Sequence, residues 1–188
     1  MKQPVYQMIA FLFHYPSQEM IDEISTLQQD IKQISNTSTQ QNLLTFTDHV
    51  KEQSLEEWKS HYIENFDFSR TINLYVTYLK LGEQRERGLE LLKLKKFYEA
   101  HGFSVSDQEL PDYLPLMLEF CANSDIEVSN ELLEMNLKGI HEIQKRLIET
   151  NSSYQYLMKA LFRQMEENGL DIHLKEEAKP GQEKLYYS

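Results

Sequence analysis

The sequence predicts an all-α fold, a single irregular bundle of about eight or nine helices, and three observations carry the prediction. The chain has 188 residues with an apolar fraction of 40%, enough for one domain with a proper core. Its six glycines and five prolines are few, which argues against a β fold, and they fall between long segments where helix boundaries are expected. Within those segments apolar residues recur at i, i+3, i+4 and i+7, the period of one helix face.

Pro4 suits a first helical turn, and Val5, Met8, Ile9 and Leu12 form the first stripe, which ends near Pro16. Ser17 can cap a second helix carrying Met20, Ile24, Leu27, Ile31 and Ile34, after which the polar stretch Ser35 to Asn42 reads as a loop. Leu43, Phe46 and Val50 mark a third helix. Ser54 and Glu57 form a capping box for a fourth, with Leu55, Trp58, Tyr62 and Phe66 on it. A fifth segment carrying Leu74, Tyr75, Tyr78 and Leu79 stops at Gly82, and a sixth carrying Leu91, Leu92, Leu94 and Tyr98 stops at Gly102.

A loop follows to Asp112. Pro111 and Pro115 confine the next helix start to their neighbourhood. This helix has two stripes, Leu114, Met117, Leu118 and Cys121 on one and Tyr113, Leu116 and Phe120 on the other. It is therefore apolar nearly all round and expected to be central, with Glu119 as the interruption. Ser129 can cap a long helix bearing Leu133, Leu137, Ile140 and Leu147. Ser152 can cap another, from Tyr154 to Met165, ending at Asn168 and Gly169. The expected organisation is a helical domain over 1–170 and a mobile charged tail over 171–188.

Several function classes are disfavoured. A net charge of −11 argues against nucleic acid as partner. No run approaches the roughly 20 apolar residues of a membrane span, and Val5 to Tyr15 lacks the charged start and cleavage site of a leader. A cytoplasmic location is expected, and the single Cys121 fits a reducing compartment. None of the six histidines has a glutamate three residues before it, and no His-x-x-x-His or Cys/His spacing occurs. The glycines are too far apart for a phosphate cradle. No catalytic set is visible, and the chain reads as a binding protein.

Charge is unevenly placed. From Phe97 to Leu137 there is no Lys or Arg, yet Glu99, Asp107, Glu109, Asp112, Glu119, Asp125, Glu127, Glu131 and Glu134 all lie there. Such a run is either a solvated face or a docking surface for a basic partner. Polar and aromatic residues also gather at helix junctions: Tyr62, Phe66, Asp67, Arg70, Tyr75 and Tyr78, then Arg85, Arg87 and Gly88. Structural duties account for most residues of this kind.

The segment Glu109-Leu110-Pro111-Asp112-Tyr113-Leu114-Pro115 resembles the signature of the cytoplasmic assembly chaperones of molybdenum-containing reductases. The resemblance is to the branch that matures respiratory nitrate reductase, the delta-subunit or NarJ type. Tyr62 to Asp67 resembles that family's Tyr-x-x-x-Phe-Asp, Leu74 to Tyr78 its Leu-Tyr-x-Thr-Tyr, and Gly82, Arg85, Arg87 and Gly88 match in order. Tyr113 stands where other branches often carry His. The likeness is clear from Tyr62 to Phe120 and looser in the first and last helices.

The resemblance implies an all-helical chaperone that is not an enzyme and binds no cofactor tightly. It would recognise the amino-terminal segment of the apo catalytic (alpha) subunit, alone or in the alpha-beta complex. It would permit molybdenum cofactor insertion before membrane attachment, with cofactor-delivery proteins as further partners and no insertion into the membrane itself. It also implies a client-peptide site at Tyr62, Phe66, Asp67, Tyr75, Tyr78, Glu109, Pro111, Asp112, Tyr113 and Glu119. Of these, Asp112, Tyr113 and Glu119 with Phe66, Tyr75 and Tyr78 are expected to line one groove for a basic amphipathic helix, the two acids as rim charges. A chaperone for another molybdenum reductase, a helical regulatory or adaptor protein, and an enzyme with an unrecognised site remain as alternatives.

Overall fold

The computed structural model describes residues 3–67, 72–78, 85–105 and 108–174. Among these there are nine helices and no strand, so the fold is all-α, as the apolar periodicity requires. They are α1 Pro4–Phe13, α2 Gln18–Ile31, α3 Thr37–Lys51, α4 Leu55–Phe66, α5 Arg85–Ala100, α6 Leu114–Asn123, α7 Ile126–Met135, α8 Leu137–Glu149 and α9 Gln155–Glu167.

Local chemistry sets many of the boundaries. Ser17 Oγ accepts from the Met20 N–H at the start of α2, and Ser54 with Glu57 closes a capping box on α4. α5 ends where Gly102 adopts a positive φ of 75°, letting the Phe103 N–H reach the Tyr98 carbonyl. Four boundaries differ from expectation. α2 ends at Ile31, so Ile34 lies beyond the helix expected to carry it. α3 begins at Thr37, inside the stretch expected to be a loop, because Asn36 Oδ1 caps the Thr39 N–H. The single long helix expected from Ser129 is two helices: α7 starts at Ile126, Ser129 is buried within it, and the break at Asn136 separates α8. The expected fifth helix does not include Leu74 to Thr77, which are non-helical, while Leu79 and Gly82 lie outside the described residues.

α1 is central, packed between α6 and α9, with α3 covering α9 and α2 covering α3. Its Tyr6, Ile9, Ala10, Leu12 and Phe13 have no exposed surface. α6 is buried at seven of its ten positions, as expected of a helix apolar nearly all round. An aromatic cluster ties four helices together at Tyr154, whose hydroxyl accepts from Trp58 Nε1 and whose ring meets those of Phe13, Phe46 and Phe66. Packing continues past residue 170, since Ile172 rests on the core and its carbonyl meets His141 Nε2 at 2.7 Å. Residues 175–188 of the expected tail lie outside the described residues.

Candidate functional site

The motif residues converge through one short piece of extended backbone. The Val76 N–H donates to the Asp112 carbonyl at 3.0 Å and the Leu114 N–H to the Leu74 carbonyl at 2.8 Å, so Tyr75 and Tyr113 face each other across an isolated antiparallel bridge. Their ring centroids are 5.3 Å apart, the spacing of a cross-strand aromatic pair. Glycine is required behind the bridge, because a Cβ on Gly139 of α8 would collide with the Val76 carbonyl.

The bridge is locked by an ion pair whose carboxylate is fully buried. Asp112 is 0% exposed; its Oδ2 accepts from Thr77 Oγ1 at 2.6 Å, from the Thr77 N–H at 3.3 Å and from Arg87 Nη2 at 3.2 Å. Arg87 Nε also donates to Thr77 Oγ1, and the guanidinium lies over the Tyr78 ring, 5.3 Å from its centroid. Pro111 is buried, and its carbonyl accepts from the Tyr98 hydroxyl.

In front of the bridge two hollows adjoin, of about 210 and 380 Å³, sharing Tyr15, Tyr62, Glu109 and Tyr113. The smaller is completed by Phe66, Asp67, Asn73, Leu74 and Tyr75, the larger by His14, Gln108, Leu116 and Glu119. Tyr15 meets Tyr62 edge-on, with centroids 5.4 Å apart, and the Tyr75 hydroxyl donates to Glu109 Oε1 at 2.8 Å. At the outer end His14 Nε2 stands 2.9 Å from Glu119 Oε1. Burial pushes the phenols of Tyr62, Tyr75 and Tyr113 up in pKa, Tyr75 further through its bond to Glu109. They are neutral donors at any physiological pH, and the negative charge of the groove comes from its carboxylates.

Seven of the ten residues singled out in the sequence line this groove: Tyr62, Phe66, Asp67, Tyr75, Glu109, Tyr113 and Glu119. Tyr78, Pro111 and Asp112 do not. Asp112 in particular is no rim charge, because its carboxylate is turned inward to Thr77 and Arg87. The acidic run is likewise no single face: Asp112 is buried while Asp125, Glu127, Glu131 and Glu134 are exposed on or beside α7. His14, Tyr15, Asn73, Leu74, Gln108 and Leu116 also line it without being among the ten; Leu74 and Leu116 stand in the sequence as apolar stripe positions, and His14 and Tyr15 sit past the end of an apolar stripe, where periodicity says nothing. Arg70 lies outside the described residues. A larger hollow of about 490 Å³ opens between α1 and α2 around Met8, Phe11 and Leu27, and none of the motif residues reaches it.

Among the described residues no three His, Cys, Asp or Glu side chains are placed to hold a metal, and no helix is long and apolar enough to cross a membrane. Cys121 is fully buried and its thiol is pushed up to about 12 by that burial.

The chain matches the nitrate reductase delta subunit family over residues 27–158. It is 39% identical to the probable nitrate reductase molybdenum cofactor assembly chaperone NarJ of Bacillus subtilis (strain 168), over 90% of this chain and 92% of that protein. It is 32% identical to the nitrate reductase molybdenum cofactor assembly chaperone NarJ of Escherichia coli (strain K12), over 56% of this chain and 44% of that protein. With the probable chaperone NarW of the same strain it shares 28% identity over 62% of this chain and 48% of that protein. With a family match over most of its length and a relative aligned nearly end to end, the chain belongs to the nitrate reductase delta subunit family.

Proposed function

We propose that this protein is a cytoplasmic chaperone that binds the amino-terminal segment of the apo catalytic subunit of nitrate reductase. It holds that subunit, alone or with its beta partner, while molybdenum cofactor is inserted and before the complex attaches to the membrane. The cofactor belongs to the client, and the chaperone contributes binding, not catalysis.

The observation that carries this reading is the groove of four tyrosines edged by Asp67, Glu109 and Glu119, built where three separate family motifs meet. Exposed ion pairs contribute about 0 to 1 kcal/mol each, so the acidic edge governs orientation and encounter rate more than affinity. Affinity comes from the aromatic walls. Two or three apolar anchors of an amphipathic helix, each worth about 1.5 to 3 kcal/mol on burial, reach micromolar binding or tighter after ordering costs.

Copurification from cells making the reductase, with identification of the retained polypeptide, tests the client. Titration of a synthetic peptide of the alpha-subunit amino terminus tests the groove. Binding is expected to weaken as salt rises, and Glu119→Gln is expected to reduce that salt dependence. Retention of a different molybdenum reductase, or no retained oxidoreductase, would reject the assignment.

A further inference from the structure

We propose that the smaller hollow is a subsite for one cationic side chain, a guanidinium above all, and that it sets the register of the client segment; this rests on the peptide-binding reading above. Its walls are the rings of Tyr15, Tyr62, Phe66, Tyr75 and Tyr113, and its acidic groups are Asp67 and Glu109.

Three features define the ligand chemistry. No Lys or Arg among the described residues lines either hollow, and neither Glu109 nor Asp67 has a cationic partner among them. Glu109 is nonetheless held in place: its Oε1 accepts from the Tyr75 hydroxyl at 2.8 Å and from the Leu110 N–H at 3.0 Å, leaving Oε2 to receive a ligand. An anion entering here would meet two carboxylates. A neutral apolar group would strip water from them and return no hydrogen bond, which is costly. A cation gains from both the carboxylates and the phenol rings.

Guanidinium fits better than ammonium. It is planar, more weakly hydrated, stacks on aromatic faces and presents a fork of donors to a carboxylate. The chain builds the same arrangement from its own residues a short way off, where Arg87 lies over the Tyr78 ring and donates to Asp112. The smaller hollow repeats the ring and the carboxylate, with no Lys or Arg of the described residues between them.

The test has two arms, so that failure of the subsite is distinguishable from failure of the client assignment. In the first, the full chain is titrated with the alpha-subunit amino-terminal peptide and with the same peptide carrying citrulline for each arginine. Citrulline keeps the shape and removes the charge. Affinity is expected to fall about tenfold, by a similar factor in Glu109→Gln with the native peptide, and by little more when both changes are combined. In the second arm, Nα-acetyl-arginine amide is added to the protein without any peptide, with the ring resonances of Tyr15, Tyr62 and Tyr113 followed by NMR. Saturable shifts are expected, absent with acetyl-citrulline amide and reduced in Glu109→Gln. A native peptide that binds while neither citrulline nor Glu109→Gln weakens it overturns the subsite and leaves the client assignment standing. If no peptide binds, the client assignment falls and the second arm decides the subsite: shifts confined to the arginine probe support it, and equal or absent shifts overturn it.

Discussion

Replacing Asp112 by Ala separates a residue that lines the groove from one that builds it. The Asp112 carboxylate is 0% exposed and accepts from Thr77 twice and from Arg87, whose side chain is 14% exposed. Truncation leaves a largely buried guanidinium and a buried N–H without their partner, a defect that costs about 3–5 kcal/mol. Asp112→Asn keeps the shape but turns an amide N–H₂ toward donors, and about 2 kcal/mol is expected; Thr77→Val removes one hydroxyl and is expected to cost about 1 kcal/mol. Urea denaturation followed by circular dichroism reads this order, and for a chain of this size the Ala variant should melt roughly 10 °C lower. Arg87→Met combined with Asp112→Asn should cost less than the sum of the two, since both break one network. Folded Asp112→Asn protein is expected to bind client peptide more weakly with its salt dependence intact, because Tyr75 and Tyr113 lose their register while Glu109 and Glu119 keep their charges. An Ala variant within about 1 kcal/mol of the parent would refute the ion pair as the lock of the bridge.

Gly139→Ala is expected to destabilise by about 1–3 kcal/mol, because the new Cβ meets the Val76 backbone, whereas Gly88→Ala, open to solvent, should gain about 0.5–1 kcal/mol; equal effects in thermal melts would dismiss the close approach. Cys121 should resist thiol reagents in the folded protein and react only at the rate of unfolding, and prompt labelling would contradict its burial. Burial lowers the pKa of His61, so below its unfolded value the unfolded chain takes up a proton that the folded chain refuses. Stability is therefore expected to fall as the pH drops from neutral through that value, with His61→Gln flattening the slope. At the other extreme Tyr6, Tyr62, Tyr75, Tyr98 and Tyr154 have raised pKa values, chiefly through burial. The unfolded chain loses those protons first, so stability should decline as the pH rises above about 10, and a flat alkaline limb would contradict it.

Helix existence was legible because the caps and stripes are local. The capping box at Ser54 and the αL position at Gly102 need no information beyond their own turn. The break at Asn136 was not legible, since Leu133, Leu137 and Ile140 keep helical spacing straight across it; the Asn136 side chain bonds the Leu132 carbonyl and a new helix begins at the next residue. Leu74, Tyr75 and Tyr78 also fit a helical stripe. What overrides it is pairing with residues 112–114, and neither periodicity nor propensity contains a partner so far along the chain.

The same distinction explains why the acids of the motif look alike in the sequence. Glu109, Asp112 and Glu119 share one base-free stretch, and composition cannot say which of them faces out. The backbone can. Extended residues tend to alternate their side chains, and with Tyr113 turned to the groove opposite Tyr75, its neighbour Asp112 turns the other way, into the protein. A carboxylate facing inward requires donors, and the motif that carries Tyr75 supplies Thr77 two residues on, while Arg87 supplies the charge. The adjacent pair Asp112-Tyr113 therefore divides its labour, the tyrosine as wall and the aspartate as anchor. Asp112 thus stays out of the groove that Tyr113 walls.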